Sequence, residues 1–529
     1  MSRTQRVLIA GSWRDSDSVS TFEPVNPKTE APTGETYPVS SEAETVAAVE
    51  AAAAVSEQLR ASYPEGLARF LELFADRIEA RSDEIVAMAE TESALPASPR
   101  LADIELPRTT DQLRQAAGAA RDRSWTQPTI DTATNIRTYF AAVEGVVAVF
   151  GPNNFPLAFN SVAGGDFAAA IAAGCPVIGK GNSSHPGTTR LLAEEAHQAV
   201  AAAGLPEATV QLIYRTSHDV GMKLVGHPRI GATGYTGSRK AGLALKQAAD
   251  AAGKPIYLEL SSINPVYILP GALCERADAI AEELQISCLM GTGQFCTNPG
   301  IVVLIAGPES DNFLQAVGGR FESAKVGTLL GPSVAAGMAD SVATLTAAGA
   351  EVVVGAQHGG GTGSSYANTL LKVSGAQFLA DPETLQTEAF GNESLFILAA
   401  SEDEAVEVAH HFEGNLTGCV YSDTGGSDDS LYDRVAPVLR GKVGRLLNDK
   451  MPTGVAVVPA MNHGGPYPAT GHPGFTAVGI PASLRRFAML QCFDNVRDSR
   501  LPVELRDANP ENLCRLIDSE WSCDAVSLG

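Results

Sequence analysis

Gly145-Val-Val-Ala-Val-Phe150 is a short apolar run that breaks off at Gly151-Pro152 and is followed by four more of the same kind. They are PVIG (176–179), TVQLIY (209–214), IGATGY (230–235) and PIYLEL (255–260). Between them lie longer segments of helical character, among them GGDFAAAIAAG, TTRLLAEEAHQAVAAAG and SRKAGLALKQAADAAG. Strands separated by helices of this length imply right-handed crossovers and an open, doubly wound parallel sheet with helices on both faces. Ligands of such sheets bind beyond the carboxyl ends of the strands. The loops after these runs are therefore where chemistry is expected.

Upstream, residues 41–122 carry Ala-rich amphipathic patterns such as EAETVAAVEAAAAVSEQLR and LARFLELFADRIEA. They predict scaffold helices with no chemistry of their own. Downstream, a second α/β region runs from about 270 to 475, with Gly-rich loops GTGQFCTNPG, AQHGGGTGSS and MNHGGPYPATGHPG. Two β-like stretches, NIRTYFAAVEG (135–145) and RRFAMLQCFDN (485–495), fall outside both patterns. They are expected to pair as a small β arm for subunit association. The fold class is thus α/β, two doubly wound parallel-sheet domains and an arm.

The whole chain has 529 residues, 44% hydrophobic and 19% charged, as expected of a globular protein of more than one domain. A formal charge of −23 argues against nucleic acid and anionic membrane surfaces as partners. Eight cysteines are scattered with no CxxC pair, so neither a zinc module nor a disulfide framework is expected, and no metal. The apolar run Val7–Ala10 is too short for a signal-peptide core, and a cytoplasmic protein is expected.

Within the expected loops, Cys296 stands out in Gly291-Thr-Gly-Gln-Phe-Cys-Thr-Asn-Pro-Gly300. Flanking glycines let a thiol approach a substrate and backbone N–H groups without obstruction. Such donors, or a helix dipole, favour the thiolate. Glu259 ends the fifth run, where a carboxylate is costly to bury unless paired or functional; a salt-bridged strand end is its plain alternative. Asn154, in Gly151-Pro-Asn-Asn-Phe-Pro156, carries an amide suited to donating to an oxyanion, or serves only as a turn residue. Lys180 ends the second run. Gly234-Tyr-Thr-Gly-Ser-Arg-Lys-Ala-Gly242 opens a helix at Gly237 and Ser238, where free N–H groups are expected to face a phosphate. There is no GxGxxG.

In chain order, Asn-Phe-Pro (154–156), Lys180, Thr-Gly-Ser (236–238), Glu259-Leu260, Gly-Gln-Phe-Cys (293–296) and Glu-Ala-Phe-Gly (388–391) resemble the aldehyde dehydrogenase superfamily over nearly the whole chain. Glu259-Leu-Ser-Ser-Ile-Asn-Pro-Val266, Glu413-Gly-Asn-Leu-Thr417 and His463-Gly-Gly-Pro-Tyr-Pro-Ala-Thr470 are similar to the branch of α-ketoglutaric semialdehyde (2,5-dioxovalerate) dehydrogenases and NADP-dependent fatty aldehyde dehydrogenases. The usual Glu-Leu-Gly-Gly is Glu-Leu-Ser-Ser here, Asn153 replaces the common aromatic residue, and Phe-Asn-Ser (159–161) differs slightly from that branch.

The resemblance implies a dinucleotide-binding domain in 1–122 and 145–269, a catalytic domain in 270–475, an oligomerisation arm in 123–144 and 484–505, and a tail in 506–529. It implies Cys296 as nucleophile, Asn154 with the Cys296 backbone N–H as oxyanion donors, and Glu259 as general base for thioester hydrolysis. Transfer to coenzyme A is disfavoured because such relatives generally lack that carboxylate. Cofactor contacts are expected from Lys180, Ser183, Gly237, Ser238 and Gly242, with Glu388 at the nicotinamide ribose and Phe390 near the ring. NAD preference needs an acid near the adenine ribose. Lys180-Gly-Asn-Ser-Ser-His185 has none, and Ser183 stands where many NAD-preferring relatives carry Glu. NADP is therefore expected, with NAD as an alternative. The expected substrate is 2-oxoglutarate semialdehyde (2,5-dioxopentanoate), with a medium-chain or fatty aldehyde second. A semialdehyde needs a cation or several donors at its far end, and the sequence does not single out the residue. A cofactor-independent thiol esterase would leave the phosphate-binding segments without purpose, and a non-catalytic relative would have no reason to keep Cys296, Glu259 and Asn154. A homodimer or homotetramer is expected.

Overall fold

The computed structural model describes residues 4–18 and 20–526. The outermost residues of the expected first domain and of the expected tail, 1–3 and 527–529, lie outside that description.

All five apolar runs form strands: Val146–Phe150, Val177–Lys180, Val210–Ile213, Ile230–Thr236 and Ile256–Glu259. They are parallel, with Val147 opposite Val177, Val177 opposite Val210, Phe150 opposite Tyr235, and Thr236 opposite Glu259. In space the order runs Ile256–Glu259, Ile230–Thr236, Val146–Phe150, Val177–Lys180, Val210–Ile213. The chain therefore builds outward from Val146–Phe150 in one direction and then returns to build the other side. This reversal makes the strand ends at Phe150 and Thr236 the topological switch point, where such sheets receive ligands. Antiparallel strands Val7–Ile9 and Ser12–Arg14 extend the far edge. The run at Val7 is thus the last strand but one of the first sheet, with Ser12–Arg14 at the edge.

The scaffold helices form as expected, at Glu42–Ala61, Glu65–Ala80, Ser82–Ser93 and Leu106–Asp122. The first begins with a capping box in which the Ser41 side chain accepts from the Glu44 N–H while the Glu44 carboxylate accepts from the Ser41 N–H. The second buries Leu67, Phe70, Leu71 and Phe74, whose two rings meet Phe167 of the core helix Gly165–Ala173. One helix, His218–Val225, lies between the third and fourth strands where the sequence reading placed none.

The second sheet also has seven strands. Its parallel members run, in spatial order, Thr369–Ser374, Glu393–Ala399, Ile301–Ile305, Val266–Ile268, Asn415–Tyr421 and Val443–Asn448, with Glu351–Val354 antiparallel at one edge. Its first strand starts a few residues before position 270. The distant stretches pair antiparallel as Ile136–Ala142 and Ala488–Asp494, with Phe140 opposite Leu490. Thr129–Asp131, Arg515–Ile517 and Glu520–Ser522 complete this five-stranded sheet, so the segment read as a tail joins the arm. Each of those late strands is only three residues long, too short for an alternation pattern to register.

Candidate active site

Cys296 lies on a loop that follows the helix Pro270–Leu289. Gly291, Thr292 and Gly293 all adopt left-handed backbone, with φ of 55°, 57° and 71°. At Gly293 a Cβ would stand 2.0 Å from the Gly391 carbonyl oxygen. Only glycine permits that approach, and it brings the Cys296 loop against the Glu388–Gly391 loop. Asn264 holds the loop from the other side, donating through Nδ2 to the Cys296 carbonyl (2.9 Å) and the Asn298 carbonyl (2.8 Å). Asn264 itself has a φ of 48° and accepts from Thr417 Oγ1 at 2.9 Å. Asn415 Oδ1 accepts from the N–H groups of Ile263 (2.8 Å) and Asn264 (3.2 Å). The Glu-Gly-Asn-Leu-Thr segment thus acts as a brace beneath the Cys296 loop, a role its sequence does not disclose.

Glu259 ends the edge strand of the first sheet and is 3% exposed. A late segment zips onto that edge: the Leu260 N–H donates to the Ala469 carbonyl (2.8 Å), the Gly471 N–H donates to the Leu258 carbonyl (3.1 Å), and Glu259 bridges to Thr470. This pairing delivers His463. Its Nε2 lies 2.8 Å from Glu259 Oε1 and 3.5 Å from Cys296 Sγ. The other carboxylate oxygen, Oε2, is buried without a hydrogen-bond partner. Ligand atoms of Glu259, Cys296 and His463 all lie within 4.8 Å of one another, the one place among the described residues where three such groups converge. These donor types also bind zinc. Burial, and then the Glu259 carboxylate, push the Cys296 thiol well above its ordinary value.

Asn154 follows the strand Val146–Phe150 and is buried. Its Nδ2 donates to the Gln294 carbonyl at 3.0 Å, within the Cys296 loop, and its carbonyl accepts from Arg100 Nη2 at 3.1 Å. An amide nitrogen carries two N–H groups, so one is left for a ligand. Glu388 accepts from the Ser262 N–H at 3.3 Å, and burial pushes its carboxyl up to about 7. Glu388 and Phe390 line one pocket with Gly293 and Phe295. The structure therefore brings Cys296, Glu259, Asn154, Glu388 and Phe390 into one neighbourhood.

Lys180 and Ser183 sit at the carboxyl end of the second strand. Removal from water, and then the like charge of Arg215, push the Lys180 ammonium down to about 8. Arg215 is exposed just beyond the third strand, a second cation that the sequence reading missed. Helix Arg239–Ala251 starts behind Ser238, whose hydroxyl accepts from the Ala241 N–H. Its first turn supplies the positive end of a helix dipole. One expectation is corrected: the Gly237 N–H is not free for a phosphate, since it donates to the Glu259 carbonyl at 3.1 Å. Thr236 pairs with Glu259, which sets the fifth strand beside the glycine, a neighbour that the local pattern at 234–242 does not disclose. Gly242 has a packing reason, since a Cβ there would meet Leu260 Cδ2 at 2.5 Å.

Comparisons with known proteins fit this geometry. The model of the aldehyde dehydrogenase family matches residues 13–456. The chain belongs to the aldehyde dehydrogenase family. It is therefore an oxidoreductase that oxidises aldehydes with a nicotinamide dinucleotide. It is 38% identical to α-ketoglutaric semialdehyde dehydrogenase 2 of Azospirillum brasilense, over 97% of this chain and 98% of that protein. It is 34% identical to α-ketoglutaric semialdehyde dehydrogenase of Acinetobacter baylyi, over 98% and 99%. Among solved structures, lactaldehyde dehydrogenase from Escherichia coli shares the fold at a TM-score of 0.80 and 22% identity, covering 93% of this chain and 99% of that one. Aldehyde dehydrogenase C from Pseudomonas syringae, solved with NAD+ and octanal, does so at 0.79 and 21%, covering 93% and 96%. Among the described residues no helix is long and apolar enough to cross a membrane.

Proposed function

We propose that this enzyme oxidises a short oxo-acid semialdehyde, 2-oxoglutarate semialdehyde foremost, to the free carboxylate, with NADP as the preferred cofactor. The observation that carries the substrate is the near full-length similarity to two α-ketoglutaric semialdehyde dehydrogenases. The chemistry rests on Cys296, His463 and Glu259 facing one another.

In the tautomer that carries its hydrogen on Nδ1, His463 Nε2 accepts the thiol proton and keeps it, the resulting Nε2–H donating to the Glu259 Oε1 carboxylate. The Cys296 sulfur then attacks the aldehyde carbon and forms a thiohemiacetal. Its oxyanion accepts from the remaining Asn154 Nδ2–H and from the Cys296 N–H, and losing one such donor typically costs about 2.7–4 kcal/mol. The bound dinucleotide supplies the acceptor for the hydride that leaves the former aldehyde carbon. That carbon is left as a Cys296 thioester. Glu259, with Oε2 buried and unpartnered, takes a proton from water as the oxygen attacks the thioester. The carbon–sulfur bond breaks, the carboxylic acid leaves, the departing thiolate takes back the proton held on His463, and Glu259 returns its proton to solvent. One water is consumed, two electrons leave with the hydride, and one proton is released.

Lys180 and Arg215 suit a 2′-phosphate, with the Ser183 hydroxyl three residues beyond Lys180, because the two cations feel one another and Gly181–His185 carries no acid. Glu388 would accept from the nicotinamide-ribose hydroxyls, and Phe390 would pack by the ring. A medium-chain aldehyde is the second reading, favoured by the apolar wall of Phe155, Phe159 and Phe295. Association into a homodimer or homotetramer is supported by the arm sheet, whose edge strand Ala488–Asp494 exposes Met489 and Leu490. A cytoplasmic location accords with this soluble-substrate chemistry.

The deciding experiment is a kcat/KM ranking of 2,5-dioxopentanoate against pentanal and octanal with each cofactor. The semialdehyde with NADP is expected to lead. Octanal in first place would reject the substrate reading, and a strong NAD preference would reject the cofactor reading.

A further inference from the structure

We propose that Arg108 receives the distal carboxylate of the aldehyde substrate, through the paired Nε–H and Nη2–H edge of its guanidinium. This rests on the semialdehyde reading above and names the residue that sets it.

Arg108 sits in the first turn of the helix Leu106–Asp122. Its guanidinium carbon lies 5.2 Å from the Phe159 ring centre and 5.5 Å from that of Phe155. The Phe159 ring in turn lies 6.0 Å from the His463 ring, centre to centre. One phenyl group therefore separates the cation from the Cys296–His463–Glu259 cluster. That spacing suits a short-chain substrate with its aldehyde at the sulfur and its anion at the arginine.

The donors are arranged for such a ligand. Nε and Nη2 of Arg108 are both shut off from solvent without a hydrogen-bond partner. These two N–H groups lie parallel on one edge of the guanidinium, the edge that matches both oxygens of a carboxylate. An arginine stays charged, and a buried charge without a partner is costly. An arriving carboxylate would remove that cost. Withdrawal from water is the main influence on Arg108, which lowers its pKa against the opposing charges of Glu105 and Cys296.

Neighbouring groups do not compete for the role. Glu105 is already engaged by Arg100 and by the N–H groups of Leu157 (2.9 Å) and Ala158 (3.0 Å). Arg100 spends its two terminal nitrogens on Glu105 and the Asn154 carbonyl. Arg445 also acts on Cys296 through its charge, but its Nη2 donates to the Pro452 and Gly454 carbonyls. Of these three arginines Arg108 alone keeps a complete two-donor edge unpaired.

The test compares two aldehydes of equal chain length, 5-oxopentanoate and pentanal, on wild type, Arg108→Met and Arg108→Lys. A charge-assisted pair of this kind predicts a fall of roughly 10- to 100-fold in the 5-oxopentanoate/pentanal ratio of kcat/KM for Arg108→Met, carried by KM. Arg108→Lys, which keeps the charge and loses the paired edge, should recover part of the ratio. It also stands alone as the test if the Met variant does not fold. A purely structural arginine would depress both substrates together and leave the ratio unmoved, which overturns the assignment. Wild type with no preference for 5-oxopentanoate overturns the semialdehyde reading itself. A wild-type preference that survives intact in both variants overturns only the role of Arg108.

Discussion

His463 Nε2 lies 2.8 Å from Glu259 Oε1 across 204 residues of sequence, and the same nitrogen lies 3.5 Å from the Cys296 sulfur. A single buried nitrogen thus faces both the thiol and a carboxylate able to stabilise a proton on that nitrogen. With the Cys296 thiol raised above its usual range by burial, the proposed acylation near neutrality is expected to depend on this proton path.

His463→Asn should therefore slow the hydride burst at pH 7 by about 10²-fold, the lower end of general-base effects. The deficit should shrink as pH rises, because hydroxide then deprotonates the thiol without help. Stopped-flow bursts from pH 7 to pH 10 test this, and a deficit that stays constant with pH would reject the relay.

Glu259→Gln separates acylation from hydrolysis. The variant should give one equivalent of reduced cofactor per active site and then stall, with steady turnover down by about 10²–10⁴-fold. Mass spectrometry of the intact protein should find the acyl group on Cys296. Steady turnover at the wild-type rate would show that another group activates water.

Why was part of this site legible in sequence and part hidden? Cys296, Glu259 and Asn154 all lie at strand ends or in Gly-rich loops, and periodic patterns locate those directly. His463 and Arg108 depend on contacts that patterns do not carry. His463 arrives through an antiparallel pairing of residues 469–471 with the edge of a parallel sheet, and its own segment has no regular element. Arg108 belongs to a helix whose composition reads as scaffold, and only packing against Phe155 and Phe159 turns it toward the site. Likewise Gly237 looked free until the fifth strand supplied the Glu259 carbonyl as its acceptor. Local patterns reveal elements; which orphan donors survive folding is a tertiary matter.

Asn264 tests whether loop bracing matters to the chemistry. Asn264→Ala removes donors from the Cys296 and Asn298 carbonyls, at about 1–3 kcal/mol for each buried group left unsatisfied. The denaturation midpoint should fall, and kcat should fall further than that loss of stability explains, while cofactor affinity holds. Full kcat in the folded variant would show that the loop keeps its shape without this brace.

Cofactor choice should depend on pH. Lys180, held down to about 8, is charged below that value and neutral above it. A 2′-phosphate needs the charged form, so NADP binding should be strongest below about pH 8 and weaken as pH rises through it. NAD lacks that phosphate and should be indifferent. The ratio of KM for NADP to KM for NAD should thus climb between pH 7.5 and 9.5, by at most about tenfold per pH unit. Below pH 7.5 the phosphate's own titration near about 6 intrudes. Lys180→Ala should flatten the profile, and Arg215→Ala should raise the ratio at every pH. A flat wild-type profile would remove Lys180 from the phosphate site.

Gly293 offers a contrast in which strain and collision are separable. Gly293→Ala must adopt a φ of 71° and also thrust a methyl to 2.0 Å from the Gly391 oxygen. Gly204, which ends the helix Pro186–Ala203 at a φ of 70°, has nothing within 4 Å of the corresponding point. Both alanine variants carry the same left-handed cost, about 1–3 kcal/mol. Only Gly293→Ala has to push the Cys296 loop off the Glu388–Gly391 loop, and a displacement of about 1 Å at reacting atoms is enough for a loss near 10²-fold. Gly204→Ala should therefore lose stability with kcat/KM near wild type, whereas Gly293→Ala should lose both. Equal kcat/KM in the two variants would mean that the contact between these loops does not set the position of the sulfur.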